Sequence, residues 1–190
     1  MVWEFLLIGA VVLGLIGLAV IAYIILIYNS LVQLRNNIDK SWANIDVLLT
    51  QRASELPKLL DTVKGYMKYE KNVLTEVTRA RTAFMDAKSI QEKADADNFL
   101  TGALKTLFAV AENYPNLKAN ENFMQLQGRI SGLENEIADR REFYNDSVNT
   151  FNIRIQQIPQ NFIAGMLGYQ RKELFQATAE ETKDVKINFE

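Results

Sequence analysis

From Phe5 to Tyr28 the chain carries no charged residue and no proline, and such a run has few folded options. As a helix it spans ~36 Å, enough to cross a hydrocarbon core of ~30 Å with some tilt. A buried helix of a soluble protein rarely lacks a polar side for so long. A cleaved secretory signal wants a basic start, an apolar stretch of ~7–15 residues and a small-x-small cleavage site. Here the one early charge is Glu4, the apolar run is longer, and Ala-x-Ala is missing. The run is therefore read as a transmembrane helix over 5–28, after a short flank over 1–4, giving a single-pass protein of the cell membrane with lipid as its first partner.

The ends of this segment carry the residues that settle at headgroups, Trp3 on one side and Tyr23 and Tyr28 on the other. Orientation is set by basic residues, which are retained in the cytoplasm. The leading flank offers Glu4, and the trailing flank offers Arg35 and Lys40, so the helical domain is expected to be cytoplasmic. Ala10, Gly14 and Gly17 form a small-residue patch through which two anchors can approach, the expected route to a homo-oligomer. Ordinary glycine usage in membrane helices accounts for the same residues.

Composition constrains the chain beyond the anchor. With three prolines and nine glycines in 190 residues, turn chemistry is too sparse for many short strands, and a few long helices are expected. The remaining ~160 residues are the size of one domain. Net charge is −2, with both signs interleaved, so no long-range field gathers nucleic acid. Cysteine and histidine are both absent, which removes disulfides, thiolate or imidazole metal sites, cysteine nucleophiles, histidine triads and acylated anchors. No cofactor, metal, catalytic residue or small-molecule substrate is expected.

Apolar residues then recur at helical spacing. Leu31, Ile38, Ile45, Leu59, Tyr66, Val73 and Ala80 form one row, and Trp42, Leu49, Leu56, Val63, Val77 and Phe84 the adjoining one. Both rows stay in phase across Pro57, which predicts one long helix, kinked there, from the membrane to about Phe84; the alternative is a break at Pro57. Ser89-Ile-Gln-Glu92 has the form of a capping box opening a second helix, with Leu100, Leu104, Leu107, Phe108, Ala111 and Tyr114 on one face before Pro115. A third helix is predicted from near Asn120 to Pro159 along Phe123, Leu126, Ile130, Leu133, Ile137, Tyr144, Phe151 and Ile158. The fold class is thus all-α: a transmembrane helix continuing into an elongated, coiled-coil-like antiparallel bundle of three long helices, or four if the chain breaks at Pro57. Phe162 to Tyr169 reads as a short cap on the bundle end, the domain as 29–176, and the acidic stretch 177–190 as a flexible tail.

Three charged residues stand on or beside these stripes: Glu70, Arg81 and Arg140. They are read as buried charges that pair across helices and fix register, because an uncompensated charge on a packed seam destabilises heavily. An enzymatic role for Glu70 with Arg81 or Arg140 needs a nucleophile, a metal-ligand pair or a phosphate loop beside it, and the sequence supplies none. The asparagines between Asn145 and Asn161 suit interhelical hydrogen bonding or a polar surface.

The order of motifs resembles the LemA family. Tyr28-Asn29-x-Leu31-Val32-x-Leu34-Arg35-Asn36, Trp42-x-x-Ile45-Asp46-Val47, Leu56-Pro57-x-Leu59 and Thr62-Val63-Lys64-Gly65-Tyr66 are similar to its opening blocks. Ala111-Glu112-Asn113-Tyr114-Pro115-x-Leu117-Lys118-Ala119, Asn122-Phe123, Glu134-Asn135-x-Ile137-Ala138-x-Arg140-Arg141, Tyr144-Asn145 and Pro159 through Gly168 continue the likeness. Two departures stand out: the usual Lys-His-Glu is Lys68-Tyr69-Glu70, and a paired arginine is reduced to Gln51-Arg52. Losing the histidine means that no imidazole chemistry carries over. The resemblance implies one N-terminal membrane helix, a cytoplasmic helical bundle and no established catalytic activity. Family members are associated with a heat-shock-type membrane zinc metalloprotease in some bacteria and with membrane organelle formation in magnetosome-forming ones. The expected function is a non-enzymatic, self-associating membrane scaffold that organises membrane or membrane-protein partners. The alternative is an accessory or adaptor factor for a membrane zinc metalloprotease in membrane protein quality control.

Overall fold

The computed structural model describes residues 2–175; the expected tail, 177–190, lies outside them. Among the described residues every regular element is helical: α1 (Val2–Lys64), α2 (Lys71–Asp86), α3 (Ile90–Ala111), α4 (Pro115–Lys118), α5 (Glu121–Arg154) and α6 (Gln160–Met166). The chain divides into two compact units. Unit 1 holds the described residues up to Lys40 together with Asp146–Lys172, and unit 2 holds Ser41–Asn145 with the segment from Glu173.

In unit 1 the anchor is bare. The large apolar side chains from Val2 to Leu26 are exposed, and burial begins at Ile27 and Leu31. The helix already includes Val2, Trp3 and Glu4 of the leading flank, since α1 begins at Val2. It is long and apolar enough to cross a membrane.

Unit 2 is a four-helix bundle. Its core joins Leu56, Leu59, Val63, Met67, Val77 and Ala80 of α1, α2 and their connection to Leu100, Leu104 and Leu107 of α3, Leu117 of α4, and Phe123 and Ile130 of α5. Direction is fixed by cross-helix pairs. Trp42 meets Tyr144 with ring centroids 5.9 Å apart, Glu55 pairs with Arg129 at 3.1 Å, and the Asn120 amide donates to the Tyr66 hydroxyl at 3.2 Å, so α1 and α5 are antiparallel. Lys93 pairs with Asp46 and Arg52 with Asp97, so α3 runs parallel to α1.

The first helix does not reach Phe84, and Pro57 is not where it stops. α1 continues through Pro57 to Lys64, and the chain turns over Gly65 to Glu70 before α2. The bundle therefore has four main helices, with the break eight residues beyond the position considered from sequence. Proline removes the amide that would bond the carbonyl four residues back, and here that carbonyl belongs to Ala53. The Arg81 guanidinium on α2 donates through Nε to this Ala53 oxygen at 3.2 Å. The orphaned acceptor is thus satisfied by a neighbouring helix, and α1 stays intact.

The other boundaries obey their local chemistry. The Ser89 hydroxyl accepts from the Glu92 amide at 3.1 Å while the Glu92 carboxylate accepts from the Ser89 amide at 3.0 Å, completing the expected capping box. The Asn120 side chain accepts from the Phe123 amide at 3.0 Å and opens α5. That helix ends at Arg154, short of Pro159, so Ile158 leaves the apolar stripe and is 78% exposed.

Candidate functional site

The charges placed on the seams from sequence take separate partners. Glu70, half-buried just before α2, accepts the Tyr114 hydroxyl at 3.0 Å. Arg81 serves the Ala53 carbonyl. Arg140 is half exposed and faces Glu136 on its own helix at 3.6 Å. Pairing of Glu70, Arg81 and Arg140 with one another across helices is therefore not what the fold uses: Arg140 lies one position out of phase with the buried stripe, and Tyr114 and Ala53 satisfy the other two.

The buried charge centre of unit 2 is built from Arg52, Asp97 and Arg141. Asp97 on α3 is fully buried and holds Arg52 of α1 on one carboxylate oxygen and Arg141 of α5 on the other. Arg52 also donates to the Thr101 hydroxyl at 3.1 Å, one turn along α3. A small cavity of about 130 Å³ adjoins the centre, with Glu134 and Ile137 in its wall. Burial pulls the Arg52 guanidinium down to about 10; the negative charge of Glu134 pushes it back up and the positive charge of Arg141 lowers it again. Three helices are thereby pinned at one level by charge-assisted bonds.

All three residues lie in phase with apolar neighbours. Arg52 comes after Ile45 and Leu49 and precedes Leu56 and Leu59; Asp97 precedes Leu100 and Leu104; Arg141 lies between Ile137 and Tyr144. The row Leu31, Ile38, Ile45, Leu59 steps by seven and skips position 52. That gap was the available signal for a buried cation.

Beside this centre the chain returns. Phe175 is fully buried, its ring 5.6 Å from that of Trp42 and 4.6 Å from the Arg141 guanidinium carbon. The Asn145 side chain accepts from the Phe175 amide at 2.8 Å and donates to the Phe175 carbonyl at 3.0 Å, while the Tyr144 hydroxyl donates to the Glu173 carbonyl at 3.1 Å. Such a carboxamide reads backbone in both directions, so one aromatic residue locks an extended segment to the bundle. In unit 1, Asn152 makes the same pair of bonds to Lys172, both at 2.9 Å. Two asparagines of the cluster, Asn145 and Asn152, thus hold returning backbone.

Trp3, Tyr23 and Tyr28 are exposed, at 79%, 52% and 45%. From Trp3 to Tyr23 the helix rises ~30 Å, one hydrocarbon thickness. Around Gly14 and Gly17 there is open space where a side chain would stand, which leaves the patch with Ala10 uncovered. Among the described residues no cluster of three or more carboxylates is arranged to hold a metal.

Comparison with known proteins places this architecture. The LemA family model matches residues 41–189. The chain belongs to the LemA family. Protein LemA of Metamycoplasma hominis is 30% identical over 161 residues, covering 83% of this chain and 72% of that protein. Magnetosome protein MamQ 2 of Paramagnetospirillum magneticum is 24% identical over 184 residues, covering 83% of this chain and 68% of that protein. The match to the LemA family model opens at Ser41, the first residue of unit 2, so Arg52, Asp97 and Arg141 fall within the family domain and the apolar anchor precedes it. The protein is a helical, membrane-associated member of the LemA family.

Proposed function

We propose that this protein is a non-enzymatic scaffold, held in the cell membrane by one helix with its bundle in the cytoplasm, that self-associates and organises membrane or membrane-protein partners. The observation that carries this reading is α1: its first part is an uncovered apolar span and its last part supplies core residues of unit 2. Anchor and family domain share one helix, a design suited to holding a domain at a membrane. The charged centre supports the same reading, because Asp97 is committed to two guanidiniums and is shielded from solvent, an arrangement that sets register and leaves no free base. Cytoplasmic orientation rests on Arg35 and Lys40 at the trailing flank against Glu4 at the leading one. Self-association is assigned to the open face of Ala10, Gly14 and Gly17.

Native mass spectrometry of the full chain in detergent tests this directly. A homo-oligomer that Gly14→Ile weakens is the expected result; a strict monomer with no co-purifying protein counts against the scaffold. Because the chain has no cysteine, Val2→Cys and Lys40→Cys give clean single labels for membrane-impermeant reagents on intact cells, and protection of Cys at 40 with labelling at 2 is expected. An accessory role beside a membrane zinc metalloprotease shares this architecture, and it is distinguished by site-specific crosslinking to such an enzyme from surface positions of the bundle.

A further inference from the structure

Unit 1 contains a second apolar surface besides the anchor. Phe162 and Met166 lie one turn apart on α6 and Ile158 lies just before it; they are 68%, 88% and 78% exposed. The opposite side of α6 is packed, with Ala164 buried. Phe162 and Met166, one turn apart on α6, are held outward opposite Ala164, and Ile158 just before the helix adds a third exposed apolar side chain to this surface.

The position of α6 along α1 says what that surface meets. Lys172 pairs with Asp39 at 3.4 Å, and the Tyr169 ring lies under the Arg35 guanidinium, 5.3 Å from its centroid. Moving back along the chain from Lys172 to Tyr169 therefore moves along α1 from Asp39 to Arg35, toward the anchor. The Tyr169 amide donates to the Ala164 carbonyl at 2.9 Å, so α6 packs next to the anchor-side end of this return, at the level of Arg35. α1 exposes its apolar side chains as far as Leu26 and then buries Ile27 and Leu31, so the cover from the returning chain begins inside the apolar run itself. Measured from Trp3, Ile27 stands ~36 Å along the helix, beyond a ~30 Å hydrocarbon core by little more than one turn. The basic side chains of Arg35, Arg154 and Arg171 are exposed on the same unit, as anionic headgroups require.

We infer that α6 is an interfacial membrane helix, inserting Ile158, Phe162 and Met166 at the headgroup and acyl boundary beside the point where α1 leaves the bilayer. A single spanning helix is free to rotate about its axis; a second lipid contact on the same unit fixes the rotation and tilt of the anchor. The occupant of this surface is lipid, because the surface belongs to the same compact unit as the membrane-facing helix and sits beside the level of Arg35, where that helix turns from apolar to charged.

This inference rests on α1 crossing the bilayer, and the two are separable by experiment. In a chain without cysteine, single nitroxides are introduced at Phe162→Cys, Met166→Cys and, as a report on the anchor, Leu15→Cys. The full-length protein is reconstituted in phosphatidylcholine and phosphatidylglycerol vesicles, and collision with oxygen and with a water-soluble nickel chelate is measured. Labels at 162 and 166 are expected to collide with oxygen and to be screened from nickel, with a ratio shifted several-fold from that of a label in water, and the label at 15 further still. A lipid-buried label at 15 with nickel-accessible labels at both 162 and 166 overturns the inference and leaves the anchor standing. Labels at 162 and 166 screened from both reagents also overturn it, because protein then covers the face.

Discussion

Arg81 donates its Nε proton to the carbonyl oxygen of Ala53 at 3.2 Å, the one acceptor in that turn of α1 that Pro57 leaves without a helical donor. Ala53 is buried, so without Arg81 the oxygen has neither amide nor water, a loss of about 1–3 kcal/mol. Arg81→Met is expected to lower stability by that amount in the natural sequence and by much less in a Pro57→Ala background, where the amide returns. Urea unfolding of the four proteins of this cycle measures the coupling; additive effects would show that proline and arginine act independently.

Asp97 neutralises two guanidiniums at the level where α1, α3 and α5 meet. Asp97→Ala leaves Arg52 charged and enclosed, and a loss of roughly 3–5 kcal/mol is expected from a buried pair broken on one side. Replacing all three, Arg52→Met and Arg141→Met with Asp97→Leu, should recover most of it. Thermal unfolding followed by circular dichroism compares the two, and a triple variant no better than the single one would refute this account.

The lock at Phe175 should be separable from the bundle. Asn145→Ala removes both bonds to the Phe175 backbone and is expected to speed hydrogen exchange of the Phe175 amide by at least an order of magnitude, while core amides of α3 keep their rates. Phe175→Ala also removes an aromatic neighbour of Trp42, so its indole emission should shift to the red.

Two groups give opposite pH limbs. The Glu92 carboxyl is held below its ordinary 4.5, first by the Ser89 amide and then by the Lys88 amide. Its stabilising contribution is present above pH 4.5 and is lost as pH falls through the lowered value. Glu92→Gln should flatten that acid limb. The Tyr114 hydroxyl is pushed above 10, first by its hydrogen bond to Glu70. That contribution is present below pH 10 and disappears as pH rises through the raised value. Tyr114→Phe should flatten the alkaline limb, and melting temperatures across pH read both.

Membrane retention depends on the bare span of α1. Ile16→Lys places a charge near its centre at a cost of roughly 2.5–3.5 kcal/mol for insertion. Part of the protein is expected to move to the soluble fraction after carbonate extraction, whereas Ile16→Leu should stay in the membrane.

Local signals were legible in the sequence where the chemistry is local. An uncharged run long enough to cross a bilayer, the capping box of Ser89 with Glu92, and the Asn120 start of α5 each depend on residues within a few positions, and each appears in the structure. Helical spacing also selected the core-facing side of every main helix. It failed where a residue's meaning depends on a distant partner. Pro57 signals disruption on its own helix, and only the packing of α2 supplies the donor that cancels it. Glu70 and Arg140 looked like the seam charges, yet Arg140 and the largely covered Arg141 each stand three or four residues from both Ile137 and Tyr144, so helical spacing alone does not choose between them.

The sequence by itself determined that this chain has an apolar anchor and an all-helical domain, because hydrophobic length and periodicity are properties of neighbouring residues. Only the tertiary structure decided that α1 turns at Gly65 and continues intact through Pro57, that Arg52 and Asp97 form a buried pair joined by Arg141, and that Asn145 and Asn152 hold returning backbone. Those outcomes depend on which side chains reach one another from different helices, a matter of register and crossing that helical spacing does not encode.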